Sequence, residues 1–198
     1  MKRLLIPLLF ICPVFPALTS ADAPHTFHFG LKAEPEGNIP MAFPFGLETG
    51  QSKVSATAAL EAKGFQRDNY DKDFTFWDIP AHSIEYKTFK PTSLALTYRN
   101  DKLIQATLVQ PAVEDCQDIM TIFQDSIDYI KHRYVYSPEN IRTSPQFGSN
   151  NCVSYMKSDQ NGWEVVTNDY AVSIDSNWKN LKYSLFVTYT NTSLYDSK

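Results

Sequence analysis

The chain has 198 residues, 22 acidic against 18 basic side chains, and a formal net charge of −4. That sign excludes recognition of nucleic acid or anionic lipid through bulk electrostatics. Hydrophobic residues at 43% and aromatics at 14% supply enough apolar surface for a real core. Beyond the first twenty residues, no run approaches the ~20 apolar residues of a membrane helix.

The amino terminus has the layout of a secretory signal peptide over residues 1–21. Lys2 and Arg3 give a positive start, Leu4 to Leu18 is apolar but broken by Pro7, Pro13 and Pro16, and Thr19-Ser20-Ala21 offers small residues. Cleavage after Ala21 is favoured over cleavage after Ala23, which would leave Pro24 next to the scissile bond. Cys12 follows Ile11 rather than a small residue, so a lipid anchor there is not expected. Removing the leader leaves about 177 residues with a net charge of about −6, enough for one ordinary domain or two small ones. The expected location is the periplasm or the outside of the cell. In that oxidising space the two remaining cysteines, Cys116 and Cys152, have only one possible pairing.

Residues 22–45 are rich in Pro, Gly and Phe, and suggest an edge strand over Thr26 to Leu31 and a turn at Pro35-Glu36-Gly37-Asn38. A helix of about eleven residues follows, to Lys63, with Ser52 as N-cap and Gly64 past its last turn. Ala56, Ala59 and Leu60 share its inward face. Next come strands with alternating aromatic or branched residues: Phe74 to Ile79, Ser83 to Phe89, Thr92 to Arg99 and Leu103 to Val109. Asn100-Asp101 forms the last turn of this meander.

The strongest local pattern is a second helix. Cys116, Ile119, Met120, Phe123, Ile127, Ile130 and Tyr134 recur at three- and four-residue steps, and so line one stripe. Glu114, Asp115 and Asp118 at its start and Lys131, His132 and Arg133 at its end match the helix dipole. After a polar loop over Ser137 to Asn151, strands are expected at Cys152 to Met156, Trp163 to Thr167, Tyr170 to Trp178 and Tyr183 to Thr190. The order helix, strands, helix, strands predicts an α+β fold of two helix-on-antiparallel-sheet units, 22–112 and 113–198. Ser93-Leu94-Ala95-Leu96-Thr97-Tyr98-Arg99-Asn100 echoes Ser184-Leu185-Phe186-Val187-Thr188-Tyr189-Thr190-Asn191, which suggests a tandem duplication.

Phe45-Gly46-Leu47-Glu48-Thr49-Gly50-Gln51-Ser52, with Val54, Leu60 and Gly64-Phe65 after it, resembles the opening of small exported helix-plus-sheet modules. These include the β-lactamase-inhibitor-protein fold and the outer-membrane small lipoprotein of the barrel-assembly machine. The chain departs from that pattern at Gly64-Phe65-Gln66, where Gly-x-Pro often closes the helix, and in lacking a lipobox. The resemblance implies binding to other proteins through an open sheet face, without catalysis.

Signatures of enzyme chemistry are scarce. Ser52 lacks the second glycine of a nucleophile elbow and serves as an N-cap. His25 and His28 would point to opposite faces of a strand, and Pro24 removes the backbone N–H that an amino-terminal copper site needs. Asp68-Asn69-Tyr70-Asp71-Lys72-Asp73 gathers oxygens without the glycine and distal glutamate of an EF-hand loop. This acidic turn leads directly into aromatics, so Tyr70, Asp71, Asp73, Phe74 and Trp77 are the candidate protein-binding residues: aromatics anchor and charge steers. No cofactor is expected. The leading expectation is an exported, non-enzymatic protein that binds another protein, most concretely an inhibitor or immunity protein against a cationic envelope-acting enzyme. An accessory factor in envelope or outer-membrane assembly comes second, and a hydrolase with a dispersed site at Asp71, Asp73 or His82 third.

Overall fold

Asn100 and Asp101 both adopt left-handed backbone, with φ of 51° and 62°, the geometry that turns one strand tightly onto the next. They join β3 (Ser93–Arg99) to β4 (Lys102–Val113) in a computed structural model of the chain, which describes residues 42–70, 73–143, 162–179 and 182–195. The expected leader, the strand over Thr26 to Leu31, the turn at Pro35 and the strand from Cys152 to Met156 lie outside those residues.

All the described strands belong to one antiparallel sheet, ordered β1-β2-β3-β4-β8-β7-β6-β5. β1 (Gln66–Tyr70) and β2 (Phe74–Asp78) precede β3. The far half holds β5 (Ile141–Thr143), β6 (Gly162–Val166), β7 (Tyr170–Lys179) and β8 (Lys182–Asn191). Each run of four pairs in chain order, and the last strands of the two runs, β4 and β8, pair with each other at the centre. The α+β class therefore holds. The sequence echo aligns β3 with β8, however, and these strands are not counterparts in this order, where β8 answers to β4.

Both principal helices cover one face. α1 (Lys53–Glu61) begins where the Ser52 hydroxyl accepts from Ser55 N at 3.2 Å, and ends before Gly64 at φ 83°. Its Ala56 and Leu60 are fully buried, as expected from the sequence, while Ala59 sits at the margin. α2 (Cys116–Arg133) is capped by Asp115, whose carboxylate accepts from Gln117 N and Asp118 N. Its stripe of Ile119, Phe123, Ile127 and Ile130 is buried against the sheet. The helix carries the chain from central β4 to edge strand β5. A rise of 1.5 Å per residue gives it a length of ~27 Å, enough to span the ~19 Å of four strand spacings.

One register row shows how the core is built. Trp77, Leu94, Leu108, Val187, Ile174 and Trp163 stand side by side across six strands and are all buried. A tryptophan closes each end, and aliphatic side chains fill the middle.

Four elements differ from the sequence reading. Ser83 to Phe89 is no strand but a set of turns, closed by the pair Tyr86 N to Phe89 O and Phe89 N to Tyr86 O, with Lys87 at φ 53°. Side-chain bonds to α2 replace sheet pairing there: Lys87 Nζ lies 2.9 Å from Asp128 and 3.4 Å from Asp125, and Thr88 N donates to Asp125 at 3.1 Å. Burial opposes ionisation of Asp128, but hydrogen bonds from Lys87 and Gln124 outweigh it and hold this carboxyl below its usual range. β1 and β5 are additional strands, both polar and both at sheet edges. β1 carries a register shift between Arg67 and Asn69, and β5 is three residues long. A short helix, α3 (Thr192–Tyr195), follows β8.

Leu108 lies mid-row with no exposed surface, so Leu108→Ala should cost about 2–5 kcal/mol in urea denaturation. Asp115→Ala, which removes only a helix cap, should cost about 1 kcal/mol. Equal losses would contradict this placing of the core.

Candidate functional site

A strand's side chains alternate between faces, so the row that buries Leu108 sends Thr107 and Val109 the other way. That second face of the sheet has neither α1 nor α2 on it, and most of its side chains are half-buried. Three parallel rows describe it. The first runs Asp78, Ser93, Val109, Phe186, Asp175, Gly162. The second runs Phe76, Ala95, Thr107, Thr188, Ser173, Glu164, and the third Phe74, Thr97, Gln105, Thr190, Ala171, Val166.

The polar groups of this surface satisfy one another across strands. Thr107 and Thr188 hydroxyls are 3.2 Å apart, Thr97 Oγ1 donates to Gln105 Oε1 at 3.4 Å, and Gln105 Nε2 donates to Thr190 Oγ1 at 3.2 Å. Phe74 and Phe76 pack edge to face with ring centres 4.5 Å apart. The result is a surface of threonine and phenylalanine with its hydroxyls already oriented. Such a surface can be desolvated by a partner without stranding polar groups.

Charge on this face is uneven. Glu164 is 3.6 Å from Arg142 of β5, and Lys182 is 3.5 Å from Glu114. Among the described residues, neither Asp78 nor Asp175 has a cationic partner. Asp175 is exposed as a residue, but its carboxyl leans over the bare Cα of Gly162, where a Cβ would lie 3.1 Å from Oδ1. Ser173 Oγ donates to Oδ2 at 2.9 Å. Burial of the carboxyl against the sheet raises its pKa above the ordinary value, and the Ser173 bond offsets only part of that.

The expected contact residues divide. Phe74 stands on the open face. Trp77 does not: three positions along the same strand, it is fully buried on the helix side, with Nε1 donating to Thr75 Oγ1 at 3.0 Å and Arg67 5.9 Å above the ring. It belongs to the core because the pleat reverses direction between positions 74 and 77. Asp73 is exposed just before β2, and its carbonyl accepts from Tyr98 N at 2.9 Å. Tyr70 is described through its backbone, which pairs with Thr75. Asp71 lies outside the described residues. Cys116 opens α2 and packs partly against the core, and Cys152 lies outside the described residues.

Of the dispersed acid-and-histidine set, the described members Asp73 and His82 do not lie together. Asp73 and His82 flank opposite ends of β2, which at ~3.3 Å per residue separates them by roughly 16 Å. His82 is instead 2.9 Å from Glu85. Among the described residues, no group of three or more His, Cys, Asp or Glu could hold a metal ion. Asn191 is buried and caps α3, its Oδ1 accepting from Leu194 N and Ser193 Oγ at 2.8 Å each.

Val109, Phe186, Asp78 and Asp175 were missed by the sequence reading. Their signal was the second phase of each strand's alternation, which becomes legible once the first is known to be core. Comparison with family models, curated proteins and solved structures returns no match for this chain.

The raised pKa of Asp175 disfavours folding once the group ionises, so its stabilising share is present below the unfolded value and lost as pH rises through the folded one. Asp175→Asn should therefore raise the thermal midpoint at pH 7 and lose that advantage below about pH 4. Calorimetry across this range checks the sign, and a lower midpoint at pH 7 would contradict it.

Proposed function

We propose that the chain is an exported, non-enzymatic protein that binds another protein across the open face of its sheet. In its most concrete form it is an inhibitor or immunity protein against a cationic envelope-acting enzyme, such as a peptidoglycan hydrolase. The observation that carries this reading is the asymmetry of the sheet. One face is filled by α1 and α2, while the other offers Phe74, Phe76, Val109 and Phe186 among mutually hydrogen-bonded threonines. Aromatic anchors on a rigid sheet are what a protein interface needs. The acidic balance of the chain adds steering toward a basic partner.

Two structural proposals accompany it. The first is that the halves arose by tandem duplication, supported by the Trp-Leu-Leu-Val-Ile-Trp row, which reads alike from either edge about the β4–β8 pair. The second is that Cys116 pairs with Cys152 after export and staples the first turn of α2. Closing that loop would add about 3–4 kcal/mol by restricting the unfolded chain. Non-reducing mass spectrometry of the periplasmic protein should show one disulfide, and Cys116→Ser should lower stability by about that amount.

The functional test uses the tagged, exported chain and its Phe186→Arg variant, matched by circular dichroism. The wild type should recover a protein partner from periplasmic extract, and the variant should lose it at least tenfold. Failure of the folded wild type to recover any protein would count against this function.

A further inference from the structure

The open face presents a specific charge pattern as well as an apolar one. Asp78 and Asp175 occupy the same register row, separated by Ser93, Val109 and Phe186. Four strand spacings of about 4.8 Å put their positions ~19 Å apart, with the apolar pair between. Neither carboxylate has a cation beside it among the described residues, whereas Arg142 and Lys182 are already engaged by Glu164 and Glu114. Gly162 leaves the space into which Asp175 leans, since a Cβ there would press on Oδ1 at 3.1 Å.

A second copy of the chain is a poor occupant of such a face. It would bring two unneutralised acids against the same acids, while Arg142 and Lys182 already face Glu164 and Glu114. A partner with basic side chains on either side of an apolar centre fits instead. We propose that Asp78 and Asp175 form a charge clamp that selects a cationic protein, each accepting a Lys or Arg of the partner while Val109 and Phe186 take its apolar centre. This rests on the reading of the open face as the docking surface, and adds the chemistry that chooses the occupant. The clamp predicts an affinity that depends on the position of these two acids and not only on net charge.

The experiment measures binding of the exported chain to a panel of purified cationic peptidoglycan hydrolases, including c-type, g-type and i-type lysozymes, at 50 mM and 300 mM NaCl. Three variants accompany the wild type: Asp78→Asn with Asp175→Asn, Glu61→Gln with Asp118→Asn as an equal change of net charge on the helices, and Phe186→Ala. The clamp variant should weaken binding tenfold or more at 50 mM NaCl, with a smaller gap at 300 mM, because salt screens exposed pairs. The helix control should change it less than threefold, and Phe186→Ala should weaken it at both salt concentrations. Equal loss in the clamp variant and the helix control would overturn the clamp in favour of net charge. Loss with Phe186→Ala but not with the clamp variant would overturn the clamp and leave the docking surface standing. No binding of any hydrolase by the wild type, or binding indifferent to Phe186→Ala, would overturn the docking surface and the clamp with it. Sedimentation showing a dimer that Phe186→Ala dissolves would assign the face to a second copy and overturn both.

Discussion

The pairing of β4 with β8 is the contact on which the rest depends. Each run of four strands is a meander in which successive members pair, so its ladders close over fewer than twenty residues at a time. The β4–β8 ladder instead joins residues about eighty positions apart, from Gln105 with Thr190 to Val113 with Tyr183. Without it there would be two small sheets, each with an exposed inner edge and half a core. With it, the buried face becomes continuous and one tryptophan-bounded row can cross six strands. Long-range pairing is entropically slow to form, so this ladder is also a natural late step in folding.

α2 makes that pairing possible in space. It leaves the centre of the sheet at β4 and delivers the chain to the far edge, so the second meander must build back inward and end beside the first. Its amphipathic stripe then lies over β8, β7 and β4. The turns between Ser83 and Phe89 are tied to the same helix by Lys87, Thr88, Asp125 and Asp128. One helix thus organises both halves of the covered face.

Much of this was legible in the sequence where local chemistry and tertiary demand agree. Ser52 and Gly64 bounded α1, the Ile and Phe spacing with its terminal charges gave α2, and Asn100-Asp101 marked a turn that only left-handed residues can make. The reading failed where context decides. The alternating aromatics of Ser83 to Phe89 looked like a strand, but their partners proved to be side chains of α2. The polar segments β1 and β5 were invisible because edge strands need little hydrophobic patterning. Trp77 looked like an interface anchor because aromatic content says nothing about which face a residue takes until strand phase is fixed. The candidate surface was legible only in part for the same reason: Phe74 was seen, while Val109, Phe186 and Asp175 come from distant strands that pairing alone brings into one row.

The two outer strands carry a consequence of a different kind. A long flat margin on an eight-stranded sheet would be a template for adding further strands, whether from a neighbour or a fibre. Here β1 is interrupted by its register shift between Arg67 and Asn69, which breaks the regular spacing of donors and acceptors along that side. β5 offers three residues, with charged Arg142 at their centre. Sideways growth is therefore discouraged at both ends of an otherwise extensible sheet. Among the described residues one broad face carries neither principal helix, and margins of this kind oppose strand-by-strand growth of the sheet behind it.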